Sequence, residues 1–198
     1  MTLDPAGYPF ILGALLLAGL SGLFVSSWLA TPFVLLAAFF VFFFRDPVRT
    51  PVGGDNLVLS PADGRVMIVG KARADAAPAG DWQQISIFLS PMDVHVNRVP
   101  VSGHVTKVSY IPGRFLPAYR PEAGGENERS EIWIDHAGQT IVQRQIVGIL
   151  ARRVVCRLQA GTDVQAGDRY GVMKFGSRMD VFLPLNADVR VKEGDVVR

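Results

Sequence analysis

From Tyr8 to Phe44 the chain carries no charged side chain. One helix of that length would run about 55 Å, against a bilayer hydrocarbon core of about 30 Å, so the stretch has to break. Ser26-Ser27 and Thr31-Pro32 are the candidate break points. They give either a span of about twenty residues followed by one of about thirteen, or two of about seventeen. No part of the stretch offers a polar face. Residues 1–44 therefore read as a helical membrane anchor, either a tight hairpin or one span plus a re-entrant or interfacial piece. A cleaved signal peptide fits poorly, because the residues before the stretch hold Asp4 and no Lys or Arg, and the apolar run is too long. Arg45 and Arg49 come directly after it. The positive-inside bias then puts the domain beyond them on the cytoplasmic face of the cell membrane.

All 20 Lys and Arg residues lie after Phe44, yet the net charge is only +2, too small to point to nucleic acid. Cys156 is the single cysteine, inside the apolar run Val154-Val155-Cys156, which excludes a disulfide framework and a cysteine metal site and reads as a buried structural thiol. No HExxH, CxxC, GxGxxG or P-loop pattern occurs, so no metal or nucleotide is expected. Residues 45–56 form a linker by composition, with Pro47, Pro51, Gly53 and Gly54.

Residues 57–198 hold short strand-like runs separated by turn residues: Leu57 to Leu59, Arg65 to Val69, Gln84 to Leu89, Gly103 to Tyr110, Glu131 to Asp135, Thr140 to Val147 and Val154 to Leu158. Helical periodicity is scarce, so the expected fold is mainly β, a compact sandwich or barrel-like domain. Ala72 to Pro78 and Pro117 to Ser130 read as surface loops. Pro61 to Val66, Pro100 to Val105 and Val189 to Val197 share a Gly turn leading into or out of a strand, and resemble the hairpins of biotinyl and lipoyl carrier domains. A membrane-anchored carrier or adaptor modified at Lys174 is thus one functional reading. It has no use for a Gly-Ser pair so close after that lysine.

Tyr170 to Pro184 reads as two apolar strand halves interrupted at Gly176-Ser177. A buried strand gains nothing from that interruption. Gly permits distorted backbone, and a Ser hydroxyl just after it can attack the preceding carbonyl if a base is near. Phe175-Gly176-Ser177-Arg178, Ser60-Pro61-Ala62-Asp63-Gly64, Ser90 to Pro100 with Asp93 and His95, and Pro112-Gly113-Arg114-Phe115 with Asn127-Glu128-Arg129 beyond it are all present. Together they resemble the phosphatidylserine decarboxylase family, in its short bacterial form.

That resemblance implies self-cleavage between Gly176 and Ser177 into a large chain, 1–176, and a small chain, 177–198. It implies a pyruvoyl cofactor made from Ser177, which forms a Schiff base with phosphatidylserine and yields phosphatidylethanolamine and carbon dioxide. His95 becomes the candidate base, and Asp63 or Asp93 the carboxylate that orients it. Some family members carry a second His three positions on, where this chain has Arg98. Arg114, Phe115 and Arg129 become candidate contacts to the lipid. His104 and His136 read as structural or solvated. The partners implied are phosphatidylserine in the membrane and the two chains for each other, with a homo-oligomer left open.

Overall fold

The computed structural model describes residues 2–54, 56–149 and 154–198; Asp55 of the expected linker lies outside them. The chain divides into two compact units, Met1–Val48 and Arg49–Arg198.

In the first unit, α1 (Tyr8–Phe24) and α2 (Ala30–Phe43) form a hairpin. Of the two candidate break points the first is used, because the α-helix ends at Phe24 and a single 3-10 turn, Ser27–Leu29, leads into α2. Thr31-Pro32 instead sits in the first turn of α2, where the missing proline N–H has no intrahelical partner to lose. The open end of the hairpin is tied by a two-residue antiparallel pair, β1 (Thr2–Leu3) with β2 (Arg45–Asp46), and by Asp4 N–H donating to Phe44 O at 2.9 Å. Phe10 packs on Phe40 and Phe44 there, with ring centroids 5.4 and 5.5 Å apart. Elsewhere the hairpin faces outward with Leu12, Leu16, Leu23, Phe24, Trp28 and Leu35, all well exposed. Exposed apolar surface of this extent marks an interaction site for protein or membrane, and Pro5–Phe24 is long and apolar enough to cross a membrane.

The second unit is mainly β. In chain order it contains β3 (Gly64–Lys71), β4 (Gln83–Leu89), β5 (Val96–Arg98), β6 (Gly103–Ile111), α3 (Ala123–Glu126), β7 (Arg129–His136) and β8 (Gln139–Val147). After them come β9 (Val154–Cys156), β10 (Asp163–Val164), β11 (Arg169–Met173), β12 (Ser177–Leu183) and β13 (Val196–Val197). Eight strands form one antiparallel sheet in the order β10-β6-β7-β8-β12-β4-β3-β13, and β5-β11-β9 form a second, smaller sheet. The core is one apolar cluster in which Leu89, Ile132, Ile141, Met179 and Val181 of the large sheet meet Tyr170 and Met173 of the small one.

The other face of the large sheet is polar and still buried. Side chains alternate across a strand, so Arg178 and Asp180 on β12 share a face with Gln84 and Ser86 on β4, Arg144 on β8 and Glu131 on β7. Arg178 grips Asp180 with two hydrogen bonds, Nε to Oδ1 at 2.6 Å and Nη2 to Oδ2 at 3.0 Å, and its Nη2 also donates to Ser86 Oγ at 3.0 Å. Arg144 Nε donates to Glu131 Oε2 at 2.7 Å.

The segment read as a surface loop covers this face. Arg120 O accepts from Arg178, and Gly124 of α3 lies so close that a Cβ there would sit 3.1 Å from Arg178 Nη2. Ala76, from the other expected loop, accepts from Arg144 Nη1. Pro117 to Ser130 is thus a cover with a short helix, in which Ala123, Asn127 and Glu128 are buried. Leu57 to Leu59 forms no strand, although Leu59 N–H bonds Pro100 O.

These packings set two expected outcomes. Full-length protein should sediment with membranes and need detergent for extraction, and extraction by high salt alone would contradict a hydrophobic anchor. Asp180→Ala in an uncleaved Ser177→Ala background should cost about 3–5 kcal/mol, because it strands a buried guanidinium; thermal melts in detergent would show it.

Candidate active site

Four of the motifs meet at one end of the large sheet. Ser177, the first residue of β12, lies opposite Leu89 of β4 on one side and Val147 of β8 on the other. Continuing both ladders by one residue sets Gly176 between Ser90 and Gly148. Contact bears out the second of these, since a Cβ on Gly148 would lie 2.4 Å from Gly176 O. On the far side of β4, Arg65 lies opposite Phe88, which brings Asp63-Gly64 to the same level. The residues before β3 also run along β5, with Leu59 N–H to Pro100 O and Arg98 N–H to Pro61 O, both 2.9 Å. Those two bonds bring the Ser60-Pro61-Ala62-Asp63 run alongside β5, the strand that directly follows His95. His95 O accepts from Met173 N–H at 3.2 Å, and only three residues separate Met173 from Ser177.

Those three residues carry the backbone from the small sheet to the large one. Phe175 has φ 64° and Gly176 φ 77°. Two successive residues in the left-handed region are rare, and for a bulky residue such as Phe the conformation is costly. Directly after them Ser177 is fully buried, and its hydroxyl has no hydrogen-bond partner among the described residues. Burying a hydroxyl in that state costs about 1–3 kcal/mol.

His95 is fully buried as well, with Nδ1 3.0 Å from Asp93 O. A carbonyl only accepts, so Nδ1 is the donor in this contact, and in the neutral ring the lone pair then lies on Nε2, the tautomer a general base needs. Asp93 reaches His95 through that carbonyl alone. Its carboxylate closes a tight turn, accepting from Ser90 N–H at 2.8 Å. Asp63 is ion-paired with Arg49. The Val147 carbonyl, beside Ser177, is held by Asn127 Nδ2 at 2.8 Å, and the Asn127 amide also bonds both backbone groups of Leu116. Gln145 Nε2 crosses between the sheets to Asn97 Oδ1 at 2.8 Å, over Gly171, where a Cβ would stand 2.7 Å from that nitrogen.

The remaining candidates lie elsewhere. Arg114 is exposed and paired with Glu126 at 2.9 Å, and Phe115 beside it is 41% exposed, enough for the ring to meet a lipid surface. Arg129 lies on the buried polar face, opposite Ile146, where its Nη1 donates to Gly125 O and Asn127 O. Burial, and next the charge of Arg144, pull its pKa below the ordinary guanidinium value. His104 pairs with Asp163 in the open, and His136 Nδ1 meets Ser102 O. A cavity of about 470 Å³ lies further along the core face, lined by Val66, Ile87, Ile141, Val181 and Leu183, and by none of the candidate catalytic residues.

Sequence reasoning misses Gly148, the Arg178–Asp180 pair and the role of Arg49, which reads in the sequence only as a membrane-flanking cation. A signal for the pair is present, since two opposite charges at alternate positions of an otherwise apolar strand have to neutralise each other if the strand is central.

Relatives confirm that the chain is an enzyme. It is 43% identical over 190 residues to a phosphatidylserine decarboxylase proenzyme of Geotalea uraniireducens (strain Rf4), covering 96% of this chain and 89% of that one. It is 43% identical over 193 residues to the phosphatidylserine decarboxylase proenzyme of Nitrosomonas europaea, with 96% and 88% covered. That of Cupriavidus taiwanensis is 42% identical over 193 residues, with 96% and 89% covered. The protein is thus a decarboxylase by class. The family model for phosphatidylserine decarboxylase matches residues 36–198, and the chain belongs to that family.

Cys156, part-buried in β9, is pushed above the ordinary thiol range by burial, which outweighs opposing hydrogen bonds from Leu158 and Ser130. The folded chain therefore keeps this proton to higher pH than the unfolded one. Its contribution to stability is intact below the unfolded thiol's pKa and is lost as pH rises through the folded one. At pH 8.5 a maleimide should label native protein about tenfold or more slowly than protein unfolded in guanidinium. Equal rates would show a reactive thiol.

Proposed function

We propose that the protein decarboxylates phosphatidylserine to phosphatidylethanolamine and carbon dioxide, after cutting itself between Gly176 and Ser177. The observation that carries this reading is the buried, partnerless Ser177 hydroxyl directly after two left-handed residues. Ser177 Oγ bonds to the Gly176 carbonyl carbon, the Gly176–Ser177 C–N bond breaks, and the hydroxyl proton passes to the freed amine, leaving an ester. Removal of the Cα proton of residue 177 then expels Gly176 as a carboxylate. The dehydroalanine left behind takes up water and loses ammonia, and becomes the pyruvoyl group at the head of the small chain. The buried position and the adjoining carbonyl of Ser177 fit such a group. Once formed, it supplies a carbonyl that condenses with the headgroup amine and accepts the electron pair released with carbon dioxide.

His95, with its proton on Nδ1, is the base for these proton transfers, and Asp63 with Arg49 frames it. Asp93 positions His95 through its turn and its carbonyl. Arg114 and Phe115 contact the headgroup phosphate and the lipid surface, while Arg129 holds the covering segment from behind. A diacyl lipid scarcely leaves the bilayer, so residues 1–44 serve to keep the enzyme in the membrane that holds its substrate, with 45–56 as tether and 57–198 as the catalytic domain. Arg45 and Arg49 favour the cytoplasmic face of the cell membrane.

Intact mass spectrometry tests the reading. Wild-type protein should separate into chains 1–176 and 177–198, the smaller blocked to Edman degradation and trapped by borohydride in the presence of phosphatidylserine. Ser177→Ala should stay a single inactive chain, and His95→Ala should process at least about a hundredfold more slowly. An uncleaved wild type that still decarboxylates the lipid would refute the mechanism.

A further inference from the structure

We infer that Gly148 is a positioning residue for self-cleavage: its bare Cα is the seat of the Gly176 carbonyl that Ser177 attacks. The inference rests on the self-cleavage reading. Gly148 comes directly after β8, and Val147 is the strand partner of Ser177. A Cβ on Gly148 would stand 2.4 Å from Gly176 O and 3.3 Å from Gly176 C, and separations below 3.0 Å essentially never occur for a real Cβ. The nearest neighbour of that missing methyl is therefore the carbonyl of the very bond to be cut.

Backbone freedom does not explain a glycine here, because Gly148 is not among the residues with positive φ. Alanine fits the backbone and fails only on space. As Oγ bonds to the carbonyl carbon, that carbon becomes tetrahedral and its oxygen gathers negative charge. A methyl group against the oxygen would turn the carbonyl out of line with Oγ and shut polar groups away from the growing charge. Once the C–N bond is cut, Gly176 is a free chain end and can swing aside. The demand on Gly148 thus applies to maturation and lapses afterwards.

Close approach of a glycine to a carbonyl is not peculiar to this site, and that supplies a matched control. A Cβ on Gly103 would stand 2.2 Å from Asp135 O, at the β6–β7 pairing, where no bond is cut. Wild type, Gly148→Ala, Gly148→Ser and Gly103→Ala would be followed by pulse-chase and intact mass for conversion to chains 1–176 and 177–198. Each substitution would also be placed in a Ser177→Ala background for thermal melts in detergent.

Gly148→Ala should slow conversion about tenfold or more, and Gly148→Ser further, while Gly103→Ala converts near the wild-type rate even if its melting temperature falls. The matured fraction of Gly148→Ala, counted by its blocked small chain, should turn over phosphatidylserine within about twofold of wild type, because the seat is no longer used. Conversion of Gly148→Ala at the wild-type rate would overturn the inference alone. So would conversion rates that merely track melting temperature across the three variants. An uncleaved wild type would overturn both this inference and the reading beneath it.

Discussion

Everything at the site depends on β12 being held from four directions. It pairs along its whole length with β4 on one edge, from Ser177 opposite Leu89 to Leu183 opposite Gln83, and along nearly all of it with β8 on the other. One face adds Met179 and Val181 to the apolar core. The other locks Arg178 to Asp180 beneath the covering segment around α3. A cut just before Ser177 would remove one covalent link and none of these contacts. β13 adds a second hold, pairing Val196 with Arg65 of β3, so the 177–198 chain would stay threaded through the sheet at two places. Such retention matters when the reactive group is the new chain's first residue.

The same arrangement fixes where each side chain points. Because side chains alternate, Ser177 faces the small sheet, where His95 and Met173 lie, and Arg178 faces away. A one-residue slip of β12 would exchange them, exposing the core to a guanidinium and turning the hydroxyl outward. The bidentate Arg178–Asp180 pair makes that slip expensive, since both charges would lose their partners in a buried setting. Electrostatics on one face of the strand therefore fixes which side chain, Ser177, stands on the other.

Much of this is legible in the sequence, within limits that have a physical cause. The uncharged Tyr8 to Phe44 stretch reads as an apolar hairpin or anchor, and alternation in short runs reads as a β domain. Register is not legible. Asp63, Ser90, Gly148 and Gly176 come to one level only through pairings between strands far apart in the chain, which no local pattern encodes. Pro117 to Ser130 reads as a loop because its prolines, paired glycines and charged residues break both helical and strand periodicity. Part of it is buried nonetheless, Ala123, Gly124, Asn127 and Glu128 among them, since the face it covers is polar and is met by backbone carbonyls such as Arg120 O. Asp63 and Asp93 each end a Ser-Pro-x-Asp run, so local sequence does not separate them; in the fold Asp63 pairs with Arg49 while Asp93 closes a turn with Ser90.

In the self-cleavage proposed above, magnitudes decide how the strained connection and the histidine would share the work. A left-handed Phe costs about 1–2 kcal/mol and an orphaned buried hydroxyl about 1–3, so residues 175–177 store a few kcal/mol. Released on the way to the transition state, that is worth roughly two or three powers of ten in rate. Uncatalysed peptide cleavage is slower than folding by far more than this. Strain can therefore aim the carbonyl and tilt the equilibrium toward the ester, but it cannot replace a base. A histidine in the right tautomer adds about 10²–10⁴-fold. Aligning Oγ, carbonyl carbon and base in one buried place contributes more than either, because it removes the entropy of bringing them together. Alignment is what the converging ladders would supply to the proposed cleavage, and residues that touch no proton, Gly148 beside the Gly176 carbonyl and Asn127 behind Val147, would act on that step through position alone.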